Sequence, residues 1–152
     1  MKKRILILEN CFYTAENLKE FINTNFGEFI SKKLEIIICN DIYEANENLK
    51  EYTDISCIIS DLNMCPNGLE EKYHEETFGT MLTGWVWIKY YILAKKEYSK
   101  IPIIICSGFV DVLKTNSDFG KYMDTYQIEL IDKGNNEKIL CEKIREIITR
   151  EV

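Results

Sequence analysis

The chain has 152 residues, of which 46% are hydrophobic and 29% charged, as in an ordinary globular domain rather than a disordered or fibrous chain. Its formal net charge of −6 disfavours nonspecific binding to nucleic acid or anionic membranes, since both are polyanions. The six cysteines form no Cys-x-x-Cys pair, which argues against zinc and thioredoxin-like sites. No apolar run is long enough for a signal peptide or a membrane span, so we expect a reducing, cytoplasmic location and protein partners.

Five short isoleucine-rich runs predict five strands. They alternate little between apolar and polar residues, which is typical of strands covered on both faces in a parallel sheet. Pro102 lies at the start of its run, where a missing backbone N–H is tolerated. The predicted strands are Arg4–Leu8, Leu34–Cys39, Ser56–Ser60, Ile101–Cys106 and Ile128–Ile131.

Between these runs, apolar residues recur every three or four positions, which predicts five helices. Thr14 and Asp41 are the expected N-caps of the first two helices. The third is rich in aromatic residues such as Trp85, and we expect its apolar side to pack on the sheet. The fourth has the weakest pattern, because Asn116-Ser117 and Gly120 interrupt it. The predicted helices are Phe12–Ser31, Ile42–Tyr52, Leu82–Tyr98, Val110–Asp124 and Glu137–Arg150.

Strands and helices alternate along the chain, which predicts a single doubly wound α/β domain over residues 1–152. Ligands of such folds bind beyond the carboxyl ends of the strands. Polar side chains follow four of the predicted strands at that edge: Glu9 and Asn10, Asp61, Ser107, and Lys133. These groups suit phosphoryl transfer to a carboxylate, because a carboxylate can act as the nucleophile while a lysine, a hydroxyl and Mg²⁺ neutralise the phosphoryl charge.

Four segments in this order resemble the receiver domains of response regulators, the CheY-like family of two-component signalling. The matching segments are Ile58–Met64, Thr83–Trp85, Ile101–Gly108 and the lysine Lys133 after the last strand. The resemblance implies a flavodoxin-like five-stranded sheet of order 2-1-3-4-5. It also implies roles for site residues: Asp61 as phosphoacceptor, Ser107 and Lys133 as phosphoryl contacts, and Glu9, Asn10, Asp61 and the backbone carbonyl of Asn63 as Mg²⁺ ligands.

The function implied by this resemblance is that of a stand-alone response-regulator receiver. It would take a phosphoryl group from a sensor histidine kinase or a phosphotransfer protein and signal to a downstream protein by direct contact. In the family this contact uses the face formed by the fourth helix, the fifth strand and the fifth helix. The chemistry expected of the chain is at most self-catalysed phosphotransfer and dephosphorylation, with no nucleic-acid or membrane partner.

Three positions depart from the family pattern. Asn10 stands where the family has a metal-binding carboxylate, so we expect weakened Mg²⁺ affinity, because a neutral amide is a poorer ligand for a hard cation. Leu130 replaces the aromatic residue that turns inward on phosphorylation, and Gly134 replaces the proline after Lys133. Asn10 and Leu130 favour an alternative, a pseudo-receiver that serves as a docking module without being phosphorylated.

A third interpretation is an unrelated enzyme on the same sheet, such as a phosphatase or a nucleotide-binding protein. No glycine-rich phosphate-binding loop follows the first strand, which disfavours it. The segment 65–81 is an acidic insertion relative to the family, and long loops of this kind are functional or disordered. It carries the single histidine, His74, whose side chain we expect to be solvated.

Overall fold

A five-stranded parallel sheet with strand order β2-β1-β3-β4-β5 forms the centre of the molecule. The computed structural model describes residues 2–27, 32–134 and 136–150. The predicted order 2-1-3-4-5 is confirmed, and the strands end within two residues of their predicted positions. They are β1 (Lys3–Leu8), β2 (Leu34–Cys39), β3 (Ile55–Ser60), β4 (Ile103–Ser107) and β5 (Ile128–Asp132).

In the described part of the chain six α-helices connect or follow the strands, and none of them is long and apolar enough to cross a bilayer. The third continues directly into a π-helix, Ile88–Leu93. Residues 28–31 of the predicted first helix lie outside the described residues. The helices are α1 (Phe12–Asn25), α2 (Ile42–Glu51), α3 (Thr83–Trp87), α4 (Val110–Lys114), α5 (Ser117–Met123) and α6 (Glu137–Arg150).

Local capping explains where several helices begin. The side chain of Asp41 accepts a hydrogen bond from the Glu44 N–H at 2.8 Å, which confirms it as the N-cap of α2. The prediction for Thr14 was wrong, because Cys11 is the N-cap of α1. The single fourth helix was also wrong: the Asn116 side chain accepts two backbone N–H groups and starts α5 as a separate helix.

The core lies on both faces of the sheet, because successive strand residues point to opposite sides. Leu6 and Leu8 pack under α2 to α5, while Ile5 and Ile7 pack under α1 and α6. Trp85 is 2% exposed in the first of these clusters, which confirms that α3 packs its apolar side on the sheet. This arrangement brings the carboxyl ends of all five strands to one edge.

Candidate functional site

Four strand ends bring their polar side chains together at the carboxyl edge of the sheet. Glu9 follows β1, Asp61 follows β3, Ser107 is the last residue of β4, and Lys133 follows β5. The Lys133 Nζ lies 2.7 Å from Glu9 Oε2 and 2.5 Å from Asp61 Oδ2. One ammonium group therefore bridges two carboxylates that come from different strands.

Both carboxylates of this cluster are buried: Glu9 is 4% exposed and Asp61 is 7% exposed. Burial raises the pKa of Glu9 above its ordinary value, and the hydrogen bond from Lys133 offsets only part of that rise. Burial would also raise the pKa of Asp61, but hydrogen bonds from Lys133 and Ser107 outweigh it and lower that pKa. Asp61 is therefore the carboxylate more firmly held in its charged form, as a nucleophile must be.

The backbone around Asp61 fixes the orientation of its side chain. Its N–H donates to the Leu8 carbonyl at 3.0 Å, continuing the ladder between β3 and β1 beyond the strand end. The N–H of Leu62 donates to Asp61 Oδ1 at 2.6 Å, which leaves Oδ2 for Lys133. The hydroxyl of Ser60 donates to the Asp61 carbonyl at 2.7 Å. Both carboxylate oxygens thus have defined partners before any ligand arrives.

Ser107 and Lys133 are positioned by neighbouring strand ends. Ser107 is fully buried, its Oγ accepts the Phe109 N–H at 3.1 Å, and its hydroxyl helps to lower the pKa of Asp61. The Lys133 N–H donates to the Ser107 carbonyl at 3.1 Å, so β4 and β5 stay paired up to the site. Gly134, which follows, has φ of 131°, a conformation that proline cannot adopt. The glycine at this position therefore matches the loop geometry of this chain.

Gly84, near the start of α3, packs directly against the candidate phosphoacceptor segment. A Cβ at this position would lie 1.9 Å from the Asp61 carbonyl oxygen, far inside contact distance. The close approach also lets the Gly84 N–H donate to the Leu62 carbonyl at 2.9 Å. Only glycine permits this approach, which gives a steric reason for Gly84 within the matching segment Thr83–Trp85.

The candidate metal ligands divide into two groups. Glu9 and Asp61 both contact the Lys133 ammonium. Asn10 is instead exposed to solvent, and the side-chain oxygen of Asn63 accepts a hydrogen bond from Thr80. Within residues 2–27, 32–134 and 136–150, no group of three His, Cys, Asp or Glu side chains is arranged to hold a metal. Two carboxylates nevertheless suit Mg²⁺, which usually takes one or two and completes its shell with water and phosphate oxygens.

The insertion 65–81 contains two 3₁₀-helices, Pro66–Gly68 and Glu71–Thr77, and packs on the helices beside it. Gly68 lies against the Ile42 side chain at the start of α2. The expectation of a solvated His74 was wrong: its ring is half-buried, and its Nε2 donates to the Leu69 carbonyl at 3.1 Å. The insertion is therefore a packed part of the domain.

Contacts to the π-helix hold the second half of the insertion. The Tyr73 ring stacks on Tyr90 with centroids 3.9 Å apart, and Glu76 accepts hydrogen bonds from Tyr90 Oη at 2.6 Å and Lys89 Nζ at 3.1 Å. Lys89 also pairs with Asp118 on α5. The insertion is thereby linked to α5. The sequence pattern gave no sign of this link, because its residues come from three separate segments.

Thr80 connects the insertion to the site itself. Its hydroxyl donates to Asn63 Oδ1 at 2.7 Å, and its backbone has φ of 92°, an unusual conformation for a β-branched residue. Phe78 and Gly79 before it also have positive φ, of 50° and 63°. Three consecutive residues thus have positive φ in the turn where the Thr80 hydroxyl binds Asn63. Sequence reasoning missed Thr80, since no motif marks it.

No family model matches the sequence, and no curated protein matches it. Solved structures do match its fold. Chemotaxis protein CheY4 of Vibrio cholerae superposes with a TM-score of 0.64 at 14% identity, over 97% of this chain and 99% of that one. A CheY-like response regulator receiver domain protein of Methanospirillum hungatei gives 0.65 at 16% identity, over 99% and 98%.

The chain has the fold of a response-regulator receiver domain. A third similar structure, a signal receiver domain of a two-component histidine kinase from Clostridium thermocellum, agrees, with a TM-score of 0.60 at 18% identity over 97% and 98% of the two chains. The predicted receiver fold is confirmed over nearly the whole chain. At these identities the comparison concerns the fold, and the roles of Asp61, Ser107, Lys133 and the Mg²⁺ ligands stay predictions.

Proposed function

We propose that this protein is a signal receiver that accepts a phosphoryl group on Asp61 from a histidine kinase or phosphotransfer protein. The observation that carries the proposal is the buried Asp61 carboxylate with Lys133 Nζ 2.5 Å from its Oδ2. A buried carboxylate held in its charged form is a competent nucleophile, and the ammonium beside it can receive the phosphoryl oxygens. Output would be by contact with a downstream protein, in a reducing cytoplasm.

The proposed transfer begins with attack of an Asp61 carboxylate oxygen on the phosphorus of a phosphohistidine. The new O–P bond forms an acyl phosphate while the P–N bond breaks, and the imidazole leaves with that electron pair. Lys133 and the Ser107 hydroxyl would then donate hydrogen bonds to the phosphoryl oxygens. Mg²⁺, when bound, supplies neutralisation of the phosphoryl charge. Glu9, Asp61 and the Asn63 carbonyl would hold it, with the exposed Asn10 offering only a neutral amide.

The experiment is incubation with acetyl phosphate and millimolar Mg²⁺, followed by intact-mass measurement. We expect an adduct of one phosphoryl group that is lost in Asp61→Asn and kept in Asp111→Asn, a matched control because Asp111 is exposed on α4. Beryllofluoride with Mg²⁺, which mimics the acyl phosphate, should shift the amide resonances of Asp61 and Lys133. An adduct that persists in Asp61→Asn would contradict the assignment of the phosphoacceptor.

A second candidate function is a docking module of the same fold that is not phosphorylated. It is favoured by the Lys133 ammonium, which already bridges Glu9 and Asp61 and satisfies both carboxylates without a metal. Under this alternative, acetyl phosphate leaves the mass unchanged under conditions that label an ordinary receiver. Beryllofluoride likewise leaves the amide resonances unchanged at millimolar Mg²⁺. The two measurements together therefore separate the two functions.

A further inference from the structure

A cleft of about 460 Å³ lies between parts of α1 and α6 on one face of the sheet. It begins at the candidate site and runs along α1, where Thr14, Leu18 and Phe21 line it at successive turns. Seven residues of helix span roughly 10 Å, so the cleft reaches well beyond the carboxylate cluster. Leu140 lines the opposite wall on α6.

The floor and walls of this cleft are apolar, and part of this apolar surface stays exposed. Cys106 lies on β4, an inner strand between β3 and β5, where a doubly wound fold normally buries side chains under helices. Cys106 is nevertheless only half-buried, as are Leu18 and Phe21. Ile59 on β3 contributes the neighbouring part of the floor. The gap between the helices thus leaves part of the core side of the sheet open to a small molecule.

Carboxylates dominate the polar end of the cleft. Glu9 and Asp61 lie at its inner end with Lys133, and Asp132 and Glu137 are exposed at its rim. Three carboxylates, those of Glu9, Asp61 and Glu137, thus lie at this end of the cleft with one ammonium group. Small-molecule sites are typically apolar cavities of about 300–1,000 Å³ with a few convergent polar groups, and this cleft has that size and composition.

We propose that the cleft binds a small organic cation, with an apolar body against Leu18, Phe21 and Leu140 and a protonated amine at the carboxylate end. The excess of carboxylates selects the charge of the ligand, because an anion of the same shape would meet Glu137, while Lys133 is already paired with Glu9 and Asp61. The partly exposed floor at Cys106 favours a ligand with an apolar body over a polar one, because binding removes apolar surface from water. This binding needs no phosphoryl group on Asp61 and does not rest on the proposed function, but the amine would meet the same Glu9 and Asp61 carboxylates as Mg²⁺.

The test compares three probes that share an indole body: tryptamine, the neutral tryptophol and the anionic indole-3-propionate. Each is titrated into the ¹⁵N-labelled full chain, and amide shifts are followed. We expect tryptamine to shift the amides of Leu18, Cys106 and Leu140 and to bind at least tenfold more tightly than tryptophol, with indole-3-propionate weakest. Equal binding of the three probes, shifts confined to other surfaces, or no shift up to the solubility limit would each overturn the proposal.

Two variants locate the binding. Cys106→Leu fills the floor and should weaken tryptamine binding at least tenfold, with the far-UV circular dichroism spectrum as the check on folding. Glu137→Gln removes one rim carboxylate and should weaken tryptamine severalfold without affecting tryptophol. The control is Glu142→Gln, because Glu142 is exposed on α6 but does not line the cleft. Equal loss in Glu137→Gln and Glu142→Gln, or unchanged binding in a folded Cys106→Leu, would refute the assigned site.

Discussion

Replacing Gly84 by alanine tests the close approach of α3 to Asp61. The added Cβ would lie 1.9 Å from the Asp61 carbonyl oxygen, 2.9 Å from the Asp61 carbonyl carbon and 3.1 Å from Leu62 Cα. All three neighbours are backbone atoms, so no side chain can rotate away. The start of α3 must therefore move by more than an ångström, and the hydrogen bond from Gly84 N–H to the Leu62 carbonyl is lost or stretched.

The expected change in the free energy of unfolding combines two costs and one gain. Overpacking of a tight contact costs about 1–3 kcal/mol, and the lost hydrogen bond costs about 1 kcal/mol. Alanine offsets about 1 kcal/mol of this, because it is the better helix former. We therefore expect a loss of about 2 kcal/mol in the free energy of unfolding, which corresponds to roughly 1 M in the urea midpoint for a protein of this size.

Urea unfolding followed by circular dichroism measures this loss, and tryptophan fluorescence from the buried Trp85 and Trp87 gives a second probe. The matched control is Gly120→Ala on α5, where an added Cβ meets nothing within 4 Å. That variant should be unchanged or stabilised by up to about 1 kcal/mol. If Gly84→Ala is as stable as Gly120→Ala, the steric reasoning about α3 and Asp61 is refuted.

Three further predictions concern the cluster and the insertion. Lys133→Gln should cost roughly 2–3 kcal/mol at neutral pH, because it leaves Glu9 and Asp61 buried without their cation, and urea unfolding should show the loss shrinking as acid protonates Glu9. Glu9→Gln should gain stability relative to the unmodified protein as pH rises, because burial raises the pKa of Glu9 and its ionisation then costs native-state free energy; unfolding curves from pH 4 to 8 check the sign. Thr80→Val should cost about 1 kcal/mol through the lost hydrogen bond to Asn63, whereas Thr80→Gly should cost less, because glycine relieves the positive φ; both are read from thermal unfolding.

Each of these three predictions has its own control or contradicting result. Lys50→Gln removes a lysine that is 71% exposed in its ion pair, and its effect should stay within about 0.5 kcal/mol. A Lys133→Gln loss no larger than this would mean that the bridging ammonium does not stabilise the cluster. A pH-independent difference between Glu9→Gln and the unmodified protein would refute the raised pKa. A Thr80→Gly variant less stable than Thr80→Val would show that the positive φ carries no strain.

The sheet and most of the candidate cluster could be predicted from the sequence because both depend on a local pattern. Each buried strand is a continuous apolar run, and the residue after it is fixed at the same edge of the sheet. Asp61 and Lys133 could therefore be placed near each other without knowing any contact. The N-cap role of Asp41 could be predicted for a similar reason, since an N-cap side chain bonds a backbone N–H no more than three residues away.

The remaining features depend on contacts between distant segments, which leave no periodic signal. The 3₁₀-helices of the insertion are too short to show a pattern, and the π-helix shifts Tyr90 away from regular helical spacing. The reach of Thr80 to Asn63 depends on a turn of three positive-φ residues. The open position of Cys106 depends on how far apart α1 and α6 lie, which no strand pattern specifies.

The bridge made by Lys133 has a consequence for the order in which the protein matures. Its two partners precede it by 124 and 72 residues, so Glu9 and Asp61 are synthesised well before their cation. We expect Glu9 and Asp61 to lack this cation until β5 joins the sheet, and two adjacent buried carboxylates without it would repel each other. The bridged cluster is therefore complete only once the chain has folded through to β5.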